Sequence, residues 1–163
     1  MSSNPPAESR QLAGLPDQSS LTAAEASEFQ AFEAGTTQDF HHCQHVRMAW
    51  IYLRIFSPLE ALRRFCGAVQ RFARLKGKPG LYHETVTWAY LFLINERLQQ
   101  APGLSWEEFE ASNPDLMQWK GGILEELYDR ERLFSELAKR VFVLPDYGVS
   151  VSGRGAQSQR GAE

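Results

Sequence analysis

Histidine is the residue type in this chain with the most chemistry to offer, and it is unevenly placed. Three of the four histidines lie in Phe40-His41-His42-Cys43-Gln44-His45, and the fourth opens His83-Glu84-Thr85-Val86-Thr87-Trp88. Residues three or four apart on a helix have Cβ atoms roughly 5–6 Å apart, so His42 with His45, or His41 with His45, can share one ion. Neutral imidazole ligates zinc, iron, copper and nickel. Two histidines from one helix and His83 from another supply the three protein ligands of an open catalytic metal site. The expectation is a divalent metal, zinc or iron or similar, held by His42, His45 and His83, with His41 as the substitute. Glu84 is then fourth ligand or general base, and Tyr52 or Arg47 could orient a substrate. Without a metal, His42 or His45 could work with Glu84 as an acid–base pair.

A plainer reading uses the same residues. A histidine at a helix start can stack on an aromatic ring or bind a carbonyl, and Tyr52, Trp50, Tyr82 and Trp88 are at hand. Glu84 can be simply a first-turn acid favoured by the helix dipole. The alternative function is then a non-catalytic interaction or scaffold protein whose histidines stiffen the fold. The His-Glu-x-x-His pattern of metalloproteases is absent, as is the Glu-x-x-His set of di-iron bundles. Cys43 falls away from His45 on a helical wheel, and Cys66 sits among Phe65 and Ala68, so a Cys/His nucleophile is not indicated. Lys76-Gly77-Lys78-Pro79-Gly80 is a basic turn without the Gly-Lys-Ser/Thr of a phosphate loop.

The elements that must position these residues read as helices. Thr22 and Glu25 form a capping box for a helix over 23–34, anchored by Phe29 and Phe32 and stopped at Gly35. A second helix runs from about Phe40 to Phe56. At 100° per residue Arg47 and Arg54 share one line, with His45, Ala49, Tyr52 and Phe56 opposite and His42 close beside them. Ser57-Pro58-Leu59-Glu60 starts a third helix, with Leu62, Phe65, Val69 and Phe72 on its apolar face and Arg63, Arg71 and Arg74 opposite. The fourth, from about Tyr82–Thr85 to Gln100, is apolar almost all round and reads as the central one. Ser105 and Glu108 cap a short helix ending near Ala111. Another is expected from Asn113-Pro114-Asp115 to Leu127, with Gly121-Gly122 as an interruption. Asp129 caps a last helix carrying a Leu133, Leu137, Val141 stripe, and Phe142 to Pro145 lies extended. If the third helix reverses the chain twice, the second and fourth run parallel and their histidines meet.

The fold class expected is thus all-α, a compact bundle of about five to seven helices over residues 21–146. Residues 1–20 read as a disordered leader and 147–163 as a disordered tail. With 163 residues, 43% hydrophobic and 23% charged, one domain can bury a sizeable core. A net charge of -3 gives no reason to expect a nucleic-acid partner. No apolar run is long enough to span a membrane, and two cysteines form no disulfide framework. The expectation is a soluble cytoplasmic protein whose partner is a small molecule or another protein.

At Phe40-His41-His42-x-x-His45, Tyr82-His83-Glu84-Thr85 and Phe142-Val143-Leu144-Pro145-Asp146 the chain resembles a group of small helical bacterial proteins. The resemblance covers about residues 29 to 146 and implies a helical fold, with no particular reaction attached. In size and histidine content the chain is also similar to DinB-type metal-binding four-helix bundles. Its histidine spacing departs from theirs, so their metal site does not carry over.

Overall fold

Helix limits in this chain follow its polar caps closely. The computed structural model describes residues 20–146; the leader up to residue 19 and the tail from 147 lie outside the described residues. Helix α1 spans Ala23–Glu33. Thr22 Oγ1 accepts the Glu25 N–H at 3.2 Å, and the Glu25 carboxylate accepts the Thr22 N–H at 2.7 Å. Gly35 ends it with φ +72°, a backbone conformation that favours glycine.

Helix α2 spans His42–Ile55, α3 Pro58–Leu75 and α4 Glu84–Gln100, with a single 3-10 turn at Pro79–Leu81 between the last two. Ser57 stands at the N-cap of α3, but its hydroxyl makes no cap bond. Glu60 turns instead to the guanidiniums of Arg63 and Arg64. α5 spans Trp106–Ser112 behind the capping box of Ser105 and Glu108. α6 (Ile123–Leu127), α7 (Arg130–Leu133) and α8 (Glu136–Arg140) follow. The molecule is an all-α compact bundle, with no strand among the described residues. No described helix is long and apolar enough to cross a membrane.

The central helix is α2 rather than α4. It buries seven of its 14 residues, whereas α4 buries five of 17 and leaves Phe92 exposed. The arginine line of α2 is covered by α1: Arg47 pairs with Glu28 at 2.7 Å and Arg54 with Glu25 at 3.3 Å. Trp50, Tyr52 and Phe32 are among the largest fully buried side chains, each contributing about 1.5–3 kcal/mol by burial.

Two helical expectations need correction. The helix expected over 113–127 survives only as α6. From Asn113 to Gly122 the chain turns, with Leu116 N–H bonded to the Asn113 carbonyl and Met117 N–H to that of Pro114. Gly122 enforces this, since a Cβ there would sit 2.0 Å from the Gln118 oxygen. The last helix is split into α7 and α8 because Ser135 caps anew, its Oγ accepting the Ala138 N–H at 3.2 Å. The split shifts the register, so Ala138 is buried while Leu137 and Val141 are exposed. Eight α-helices are present among the described residues, five of them of seven residues or more, in keeping with the bundle expected.

The two motif segments meet at the base of α4. Thr85 is fully buried; its hydroxyl donates to the Val141 carbonyl at 2.8 Å and accepts the Val143 N–H at 3.0 Å. Residues 142–146 belong to no helix or strand. Trp88 stacks on Phe142, and the Tyr128 hydroxyl donates to the Val143 carbonyl.

Candidate functional site: a histidine-lined cleft

α2 packs most extensively against α4, and the N-terminal ends of the two helices border one cleft of about 670 Å³. His41, His42, His45 and His83 all line it, with Val46, Ala49, Phe40, Val69, Phe72, Val86, Tyr90 and Trp119 forming most of its wall. The expected meeting of the two histidine segments therefore occurs. The cleft lies in the size range of small-molecule sites, about 300–1,000 Å³.

Backbone partners fix the tautomers of His42 and His83. His42 Nε2 lies 2.8 Å from the Leu116 carbonyl, which can only accept, so Nε2 carries the proton and Nδ1 the lone pair. That carbonyl is available because residues 113–122 are not helical. The His42 ring also packs on Tyr90 at 4.9 Å and Trp119 at 5.6 Å. Burial lowers its pKa, with the Leu116 bond opposing.

His45 packs its ring on Phe40, centroids 3.9 Å apart. Burial, helped by the nearby His42 and His41, drives its pKa down to about 4, with the Phe40 backbone opposing. It is neutral at pH 7. His41 is exposed at the rim, and its backbone N–H is held by the Gln44 side chain at 3.0 Å.

His83 is the N-cap of α4. Its Nδ1 accepts the Val86 N–H at 3.3 Å, so in the neutral ring Nε2 carries the proton. Burial lowers its pKa, and the Leu133 backbone opposes. Nε2 is buried and lacks a hydrogen bond of ordinary geometry. A metal at His83 would have to displace either that proton or the helix cap. Among the described residues no three His, Cys, Asp or Glu side chains are grouped to hold one ion.

Glu84 does not border the histidine cleft. It lines a neighbouring groove with Cys66 and Trp88, and its carboxylate accepts the Tyr82 hydroxyl at 2.6 Å. Tyr82 lines the histidine cleft and so stands between the two. Tyr52 is fully buried with its hydroxyl on Glu33, and Arg47 is tied to Glu28; neither reaches the cleft. Cys43 is exposed, near the Met117 carbonyl, and Cys66 is buried, as their positions on the wheel and in the sequence indicate.

Sequence reasoning missed Tyr90, Trp119, Lys76 and Lys78, all of which line the cleft. For the lysines the signal was present, because a basic turn between two helices whose ends meet must lie near that meeting point. For Trp119 no local signal existed; only the turn at 113–122 brings it to His42. No known protein family, curated protein or solved structure matches this chain.

Proposed function

We propose that the cleft between α2 and α4 binds a small organic molecule with a largely apolar body. The observation that carries this reading is the convergence of all four histidines on one apolar-walled cleft of about 670 Å³. The imidazoles of His42 and His83, each held in one tautomer by a backbone partner, supply a few oriented polar groups on a hydrophobic wall, the usual make-up of a ligand pocket. The test is a titration with neutral 2-naphthylethanol, read by tryptophan fluorescence. Saturable one-site binding that is lost in Val86→Trp, which fills the cleft, supports the proposal. A folded protein with no saturable binding refutes it.

A divalent metal is the second reading, and one observation favours it. His42 gives its N–H to the Leu116 carbonyl and His45 leans on the Phe40 backbone, the outer support that metal-ligating histidines commonly have. Each keeps a second nitrogen for an ion. Such a site would draw on two protein ligands plus solvent or substrate, because the His83 cap engages its Nδ1 and leaves Nε2 protonated. Elemental analysis of untagged protein, beside His45→Ala, decides it. Stoichiometric zinc or iron lost in the variant supports the metal; none in either, even after metal is offered, removes it.

A further inference from the structure

The charges at the cleft are confined to one end of it. Burial lowers the pKa of His42, His45 and His83, which favours their neutral forms, and the interior lining is otherwise apolar or hydroxylic. Lys76 and Lys78 line the end where the α3 terminus and the 3-10 turn meet residues 38 and 39. Lys76 Nζ donates to the Gln38 carbonyl at 3.3 Å and lies over the Phe72 ring at 5.4 Å. Neither lysine makes an ion pair among the described residues, and Asp39 beside them makes none either. An unpaired charge buried among the rings would be costly, so a charged ligand can place its head group only at this end. Two cations against one carboxylate leave that end positive.

We propose that the molecule taken by the cleft is a small planar aromatic acid, its rings against Phe72, Tyr90 and Trp119 and its carboxylate at Lys76 and Lys78. This rests on the reading of the cleft as a small-molecule site and adds the chemical class. The aromatic wall favours a ring system over a branched aliphatic body, since offset and edge contacts between aromatic rings add to simple burial. The lysines are exposed, so their contribution is modest and sensitive to salt.

Three probes with one body and different heads test it: 2-naphthylacetate, 2-naphthylethanol and 2-naphthylethylamine. At low salt the acid should bind about three- to tenfold more tightly than the alcohol, and the amine most weakly. The acid's advantage should shrink in high salt and vanish in Lys76→Gln/Lys78→Gln, a double change at exposed sites that leaves the melting temperature unaltered. Asp39→Asn should strengthen acid binding about twofold. Equal binding of all three probes, or an acid preference that survives the double substitution, overturns the aromatic-acid assignment and leaves the small-molecule cleft standing. Failure of all three probes to bind overturns both.

Discussion

The α1–α2–α3 seam and the histidine cleft treat polar groups in opposite ways. Along the seam Glu25, Glu28 and Glu33 meet Arg54, Arg47 and Arg71, and the Tyr52 hydroxyl is bound to Glu33. Arg54 and Arg47 also cover the rings of Trp50 and Trp106, leaving the Trp50 indole N–H as the seam's unpaired donor. At the cleft, Asp39 and Lys78 have no ionic partner among the described residues, and His83 Nε2 has no hydrogen bond of ordinary geometry. A seam whose charges are all matched holds the bundle together. A cleft with unevenly partnered imidazoles and unpaired rim charges leaves capacity for a ligand, which is why substitutions in the two regions should separate stability from binding.

The sharpest way to break the seam is Tyr52→Ala, which empties the space of a fully buried ring in contact with Phe29 and Phe65. It should cost about 3–5 kcal/mol in a urea titration. At the cleft the corresponding loss should be produced by acid. The folded pKa of His45 is about 4 against an ordinary 6.5. Between those values the unfolded chain binds more protons, so stability falls as pH drops from 6.5 to 4 and levels off below. The total is about 3 kcal/mol, and the lowered pKa values of His42 and His83 act in the same direction. Measured midpoints for wild type and His45→Gln should diverge across that window; parallel curves would contradict the buried neutral imidazole.

Smaller still is the effect expected of Thr85→Val, which keeps shape but leaves the Val143 N–H and the Val141 carbonyl without their partner. About 1–3 kcal/mol should be lost, with amide exchange of Val143 rising well above that of the α2 core. Smallest in stability is Trp119→Ala, a half-exposed ring at the cleft. It should cost under about 1 kcal/mol of folding free energy yet weaken naphthyl-probe binding about two- to tenfold. If stability falls sharply with no change in binding, Trp119 belongs to the core and the contrast between the two regions fails there.

Much of the scaffold was legible in the residues. The caps at Thr22/Glu25 and Ser105/Glu108, the Gly35 stop and the period of α2 and α3 are local signals, and local hydrogen bonding obeys them. The reading failed where a local signal competed with tertiary contact. Gly122 and Ser135 start new short helices where the apolar pattern would run a longer one through, and the Arg47/Arg54 line met an acidic face of α1 that no wheel of α2 can display. At the site, the placement of His42, His45 and His83 near helix starts was visible, and so was their convergence once α2 and α4 were taken as parallel. The position of Glu84 was not, because its side is set by which face of α4 meets α3.

The sequence by itself determined that the chain is helical, where most helices begin, and that its histidines cluster at two helix starts, since caps and periodicity act over a few residues. Only the tertiary structure decided what those histidines are. The Leu116 carbonyl, 74 positions from His42, sets one tautomer, while burial holds His45 neutral. Trp119 closes the cleft from a segment that shares no local signal with it. Protonation and exposure depend on neighbours in space, and this chain draws those neighbours from segments distant in sequence.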